Sequence, residues 1–131
     1  MPRLLKYLYH GTSLHRWKQL EADNYETEII YLARSPERTV HYRLNAVEQD
    51  EIDDAVNQDD NAEVIAKFEL QTLIKQGELM PDWDDVRTNM ELFPDAVEPQ
   101  DVSWIDSLRV LGTCSYEGSL KEALKAVRVI R

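Results

Sequence analysis

The side chains best suited to chemistry lie in two short apolar segments near the start of the chain and in the stretch that follows them. The first segment contains Tyr9-His10-Gly11-Thr12-Ser13, the second contains Ile30-Tyr31-Leu32-Ala33, and Tyr42 lies eleven positions after Tyr31. An imidazole can hydrogen-bond sugar hydroxyls, and a glycine lets main-chain N–H and C=O groups approach a ligand closely. Tyrosine rings supply flat apolar faces. Together these groups suit a pocket for a planar aromatic amide attached to a ribose.

Strands and helices must position these residues, and the hydrophobic pattern predicts both. The pattern indicates a strand over residues 4–9 that ends in a turn at His10-Gly11. Thr12 or Ser13 would cap a helix over 14–22. In chain order, the other expectations are a buried strand at 27–33, a helix that begins at Ser35-Pro36 and carries Tyr42, a loop at 57–61, a half-buried strand at 62–70, irregular structure at 71–98, strands at 108–116 and 126–130, and one helical turn within 119–125. This order predicts a single α+β domain over residues 1–131.

The composition is typical of a globular protein and argues against several functions. Hydrophobic residues make up 43% of the 131 positions and charged residues 31%, and no apolar run approaches the length of a membrane span. Cys114 is the only cysteine, so an internal disulfide is impossible and a reducing compartment, the cytoplasm, is expected. The three histidines and Cys114 lack the spacing of zinc ligands, so we expect no metal.

The excess of acidic residues bears on possible partners. Twenty-five acidic against fifteen basic residues give a net charge of −10, which argues against non-specific binding of nucleic acid. Residues 48–63 hold eight acidic side chains and no basic one, and Asp82, Asp84 and Asp85 surround Trp83. Such runs are typical of solvated faces. The alternative is a surface that engages a basic partner.

The two apolar segments and Tyr42 resemble the His-Tyr-Glu branch of the ADP-ribosyltransferase fold, which includes diphtheria-type toxins and poly-ADP-ribose polymerases. The string Tyr9-His10-Gly11-Thr12 is similar to the first element of that signature, and Ile30-Tyr31-Leu32-Ala33 is similar to the second. The interval from Tyr31 to Tyr42 also matches the family. The resemblance implies a small split antiparallel β-sheet core with flanking helices.

The resemblance also implies roles for individual residues. His10 would hydrogen-bond a ribose hydroxyl of NAD, and the backbone of Gly11 would hold the nicotinamide carboxamide. Tyr31 would line the ribose and the ring, and Tyr42 would stack on the nicotinamide. The remaining NAD contacts implied by the matching strings are Thr12, Ser13 and Ala33.

The third element of the signature, an acid that bonds the reacting ribose, has two candidates. Asp106 directly precedes the expected strand at 108–116, whereas Glu117, in Tyr116-Glu117-Gly118, would lie past its end. Placement at a strand end favours Asp106, and Glu117 remains the alternative candidate for the acid. The interval from His10 to Tyr31 is shorter than is usual in the family.

The sequence therefore predicts a glycosyltransferase, namely an NAD-dependent mono-ADP-ribosyltransferase of toxin or phage-effector type, with a protein as the expected acceptor. A second hypothesis is a non-enzymatic acidic inhibitor that blocks a basic surface of a nucleic-acid-handling partner. A third is transfer of an RNA 2′-phosphate to NAD. This third reaction is disfavoured because it requires a cluster of basic residues, and near the proposed pocket only Arg34, Arg38 and Arg43 could contribute.

Overall fold

The computed structural model describes residues 5–52 and 62–130, and within them it forms one six-stranded sheet with helices on its faces. The strand order is β4-β5-β2-β1-β3-β6, and every neighbouring pair is antiparallel. This arrangement confirms the α+β class. The strands are β1 (Tyr7–Ser13), β2 (Glu26–Ala33), β3 (Glu63–Glu69), β4 (Gly77–Pro81), β5 (Thr113–Ser119) and β6 (Leu124–Ile130). The helices are α1 (Leu14–Ala22), α2 (Val40–Ile52), α3 (Leu70–Gln76), α4 (Trp83–Thr88) and α5 (Trp104–Leu111), with 3-10 turns at Glu37–Thr39, Met90–Leu92 and Pro99–Asp101.

Successive side chains of a strand point to opposite faces, and this alternation places the main core on one face of the sheet. Leu8 of β1 and Phe68 of β3 are opposite each other and fully buried. Trp17 of α1 packs on Phe68, with 6.4 Å between ring centroids. Gly11, on the other face of β1, lies against Thr39 and α2. The helices α1 and α2 therefore flank β1 from opposite sides.

The sheet is split between β1 and β2. The two strands share one paired position, Tyr9 with Ala33, whereas β1 pairs with β3 along its whole length, from Tyr7 opposite Glu69 to Ser13 opposite Glu63. Beyond Tyr9, β1 and β2 therefore diverge. The gap that this opens lies between α1 and α2.

Several local expectations were wrong for identifiable reasons. His10-Gly11 is not a turn, because β1 continues through it to Ser13 and pairs with β3 there. The segment 71–98 is not irregular, since it contains α3, β4 and α4. The first part of the strand expected at 108–116 is the end of α5. The single helical turn expected within 119–125, in contrast, is present and is closed by the Leu124 N–H donating to the Leu120 carbonyl at 3.1 Å.

The misassigned helix α5 has clear caps. Ser103 accepts a hydrogen bond from the backbone N–H of Asp106 at its start, and Gly112 adopts φ 83° at its end. The run from Leu108 to Leu111 is apolar enough to resemble a buried strand, and short apolar runs do not distinguish the two structures. The loop expected at 57–61 lies outside the described residues. Within the described part of the chain, no helix has the length and apolar character to cross a membrane.

Candidate functional site

The gap between β1 and β2 forms a cleft of about 1020 Å³. Side chains of α1 and α2 form its two sides, and the diverging strands form its floor. A cleft of this size is in the range of small-molecule and cofactor sites. Of the residues proposed from sequence, His10, Gly11, Thr12, Tyr31 and Tyr42 line it.

His10 bridges the split. Its Nδ1 lies 2.9 Å from the carbonyl oxygen of Tyr31, and because a carbonyl only accepts hydrogen bonds, Nδ1 must carry the proton and donate. Burial lowers the pKa of His10, and the hydrogen bond to Tyr31 offsets this only in part. The imidazole is therefore neutral at pH 7, and its Nε2 can accept a hydrogen bond from a hydroxyl group.

Gly11 is required by the packing of α2 on β1. A Cβ atom at this position would lie 2.6 Å from Cβ of Thr39 and 2.7 Å from Cγ of Arg43. The guanidinium of Arg43 is fixed in turn by an ion pair of 2.8 Å with Glu63 on β3. Because Gly11 has no side chain, α2 can lie close to the backbone of β1, and this approach brings Tyr42 to the cleft.

Tyr31 and Tyr42 form a stacked pair in the cleft wall. Their ring centroids are 5.7 Å apart and their planes differ by 5°. The Tyr31 hydroxyl donates to Asp84 at 2.9 Å, and the Tyr42 hydroxyl donates to Asp82 at 3.0 Å. Burial raises the pKa of Tyr31 to about 12, with a further contribution from Asp84. Burial and Asp82 raise the pKa of Tyr42 as well.

Asp82 is the centre of a buried network that sequence reasoning missed. Only 2% of the residue is exposed, and it accepts hydrogen bonds from Thr113 Oγ1 at 2.9 Å and from the Asp85 backbone N–H at 3.3 Å. Burial raises the pKa of Asp85, and the Asp82 and Asp84 carboxylates add to the effect. The available signal was an aspartate directly before the short helix α4, a pattern typical of an N-cap. The sequence analysis favoured a solvated face for this cluster, which holds for the exposed Asp84 and Asp85 but not for Asp82.

The other proposed NAD contacts occupy different environments. Thr12 lines the cleft, but Ser13 caps α1 through the Arg16 backbone N–H at 3.2 Å and donates its hydroxyl proton to Asp50. Ala33 is fully buried at the one paired position of β1 and β2. In the described part of the chain, neither Ser13 nor Ala33 is among the residues that line the cleft.

The two candidate acids lie in different places. Asp106 is on the first turn of α5, forms an ion pair with Arg109, and lines a separate cavity of about 150 Å³. Glu117 is inside β5, not past its end as the sequence analysis expected. It lies opposite a bulge in β2, because the pairing shifts between Thr27–Gly118 and Ile30–Tyr116.

Glu117 is not among the described residues that line the cleft, but it lies opposite the bulge, which does line it. Glu28 and Ile29, the two bulged residues, line the cleft, and both face the single position Glu117. Tyr31 pairs with Ser115, so the side chains of Tyr31 and Glu117 leave the same face of the sheet. Diagonal neighbours of this kind are about 7–8 Å apart. Glu117, unlike Asp106, therefore leaves the same face of the sheet as Tyr31.

The cleft carries excess negative charge. Four carboxylate side chains line it, and the one cationic side chain among its described lining residues, Arg16, is held by Asp50 at 3.0 Å. The four are Asp23, Glu26, Glu28 and Glu48. Among the described residues, no group of histidine, cysteine and acidic side chains is arranged to hold a metal ion.

No protein-family model matches this chain, and neither a curated protein nor a solved structure matches it. The assignment of a function therefore depends on the geometry of the cleft and on the resemblance of its residues.

Proposed function

We propose that this chain is an NAD-dependent mono-ADP-ribosyltransferase with a fold of the His-Tyr-Glu type. The observation that carries the proposal is the convergence of His10, Tyr31 and Tyr42 on one cleft, at the split between β1 and β2. These residues lie on β1, β2 and α2, and the resemblance implies a contact with NAD for each of them.

The chemistry assigned to the cleft is cleavage of the nicotinamide–ribose bond of NAD, which is the substrate. The C–N bond breaks with its electron pair going to the nicotinamide nitrogen, and positive charge develops on the ribose as in glycoside hydrolysis. A nucleophile of the acceptor then forms a bond to the same carbon and loses its proton. His10 Nε2 would accept a hydrogen bond from a ribose hydroxyl and fix the sugar. Most of the proposed catalysis is positioning.

Glu117 is the acid that we assign to the reacting ribose. It shares a face with Tyr31 and lies opposite the bulge that lines the cleft, whereas Asp106 lines another cavity. A carboxylate beside a developing oxocarbenium ion stabilises the transition state, and removal of such a preorganised group typically costs a factor of about 10²–10³ in rate. This assignment reverses the preference for Asp106 that strand-end placement gave.

The acceptor in this proposal is a protein, modified by a toxin or an effector acting in the cytoplasm. The four carboxylates along the cleft favour a basic acceptor segment over a nucleic acid. The rival hypothesis of a non-enzymatic acidic inhibitor depends on residues 48–63. Of the members that the structure describes, Asp50 and Glu63 are already engaged by Arg16 and Arg43.

The test compares the two candidate acids directly. Purified protein is incubated with NAD and cell lysate, and both released nicotinamide and labelled acceptor are measured. We expect Glu117→Gln to lower the rate by about 10²-fold or more, and Asp106→Asn to leave it within about twofold. His10→Ala should also lose activity, with its fold checked by circular dichroism.

Two outcomes would contradict the proposal or part of it. Wild-type protein that neither binds nor consumes NAD with any lysate would refute the transferase. Loss of activity in Asp106→Asn with full activity in Glu117→Gln would refute the assignment of the acid alone.

A further inference from the structure

The hydroxyls of the stacked tyrosines hydrogen-bond to carboxylates that are not among the described residues lining the cleft. Each phenol hydroxyl donates to its own carboxylate, Tyr31 to Asp84 and Tyr42 to Asp82. Asp85 adds a third carboxylate to the start of α4. The charged or titratable groups beside them are Arg87, 3.6 Å from Asp84, and His41, which lowers the pKa of Asp85.

This arrangement favours a cation against the rings. The face of an aromatic ring attracts positive charge, and the attraction grows when the site excludes water. A phenol that donates to a carboxylate is polarised by that hydrogen bond, which makes its ring more electron-rich. Arg87 offsets part of the charge of the exposed Asp84. Asp82, which is 2% exposed, contributes the larger and less screened field.

We propose that Asp82 and Asp84 act through Tyr42 and Tyr31 to make this wall selective for a positively charged planar ring, so that the cleft takes the oxidised dinucleotide and discriminates against the reduced one. This proposal deepens the proposed function and rests on it. The nicotinamide ring of NAD is a pyridinium cation, whereas the ring of the reduced dinucleotide and free nicotinamide are neutral. The same selectivity would release the ring once the bond to ribose has broken and its charge is gone. Asp82 and Asp84 are thus positioning and specificity-determining residues and need not touch the substrate.

The experiment compares two rings that differ in charge. Nicotinamide and nicotinamide methylated on its ring nitrogen, a permanent cation, are titrated into the wild-type protein, and binding is followed by calorimetry or ring-current shifts. We expect the cation to bind more tightly, on the order of tenfold. Asp84→Asn should reduce this preference by about two- to threefold, because the Asp84 carboxylate is largely exposed and paired with Arg87. Asp82→Asn should remove most of it.

The controls separate charge from packing. Asp95→Asn removes the same charge at an exposed residue of the smaller cavity and should leave the preference unchanged. If Asp82→Asn fails to fold, Tyr42→Phe serves instead, because it keeps the ring and breaks the link to Asp82. Equal affinity of the wild type for the two rings would overturn the proposal, as would equal losses for both rings in Asp82→Asn or Tyr42→Phe.

The outcomes also distinguish this proposal from the transferase. Selective binding of the cation, lost in the aspartate variants, by a protein that never cleaves NAD would support charge selection and refute the transferase. Cleavage of NAD that depends on Glu117, with no preference between the rings, would refute charge selection alone.

Discussion

Tyr31 hydrogen-bonds both Asp84 and His10, and its phenol and the His10 imidazole are both held in their neutral forms. The Tyr31 hydroxyl donates to Asp84, and the Tyr31 carbonyl accepts from His10 Nδ1. Desolvation lowers the pKa of His10 and raises the pKa of Tyr31. One residue of β2 therefore fixes both the tautomer of the histidine and the orientation of its own ring.

These shifts predict a pH dependence for Tyr31. Its pKa rises from 10.0 to about 12 on folding, so the folded state favours the protonated phenol. The stability that this contributes is fully present below pH 10 and is lost as the pH rises through about 12. We expect the tyrosinate absorbance titration of the wild type minus that of Tyr31→Phe to show one step near 12. A step at the ordinary tyrosine value would contradict the desolvation of the Tyr31 ring and its hydrogen bond to Asp84.

At the scale of elements, the site depends on the distance between α2 and β1. Thr39 and Arg43 contact the backbone at Gly11, and Asp50, nearer the end of α2, accepts hydrogen bonds from Ser13 and Arg16. The helix is therefore fixed at two points along its length. Because Tyr42 lies between Thr39 and Arg43, the position of its ring depends on the contact at Gly11.

Gly11→Ala tests this dependence. The new Cβ would lie 2.6 Å from Cβ of Thr39, so α2 must move away from β1. We expect a loss of about 1–3 kcal/mol in the free energy of unfolding, measured by urea denaturation. We also expect weaker NAD binding, since Tyr42 moves with α2. An unfolding free energy within about 0.5 kcal/mol of the wild-type value would show that the contact is loose.

The sequence predicted some helices and strands correctly and others not, and the difference lies in how clear their local signals are. The helix at 14–22 and the strands at 27–33 and 62–70 have clear caps or clear periodicity, and these predictions are confirmed. The apolar run at 108–111 is too short to show a period, and its helix was misread as a strand although Ser103 and Gly112 cap it. That error also moved Glu117 outside β5 and made Asp106 the preferred acid.

The site itself was only partly predictable. His10, Gly11, Tyr31 and Tyr42 could be selected because each residue type has a chemical reason to be there. The acidic partners of the tyrosines could not be selected from the sequence. Asp82 and Asp84 are 40 and 53 positions from the tyrosines they bind, and nothing in a local pattern encodes a contact at that separation.

At the scale of the whole molecule, the sheet order places the proposed residues on neighbouring strands. His10, Tyr31 and Glu117 lie on β1, β2 and β5, which are adjacent in the sheet, and the split between β1 and β2 leaves room for a ligand. The chain has a net charge of −10, and the space between the strands is also lined by an excess of carboxylates. Positive charge on a substrate ring, on a reacting ribose and on a basic acceptor would all be attracted to it.

The most direct test is a crystal structure of the protein with NAD bound. The proposed function predicts the nicotinamide ring against Tyr31 and Tyr42, a ribose hydroxyl within hydrogen-bonding distance of His10 Nε2, and the carboxylate of Glu117 facing the reacting ribose. NAD bound elsewhere, or seated in the cleft with its nicotinamide turned away from both tyrosines, would contradict the proposal.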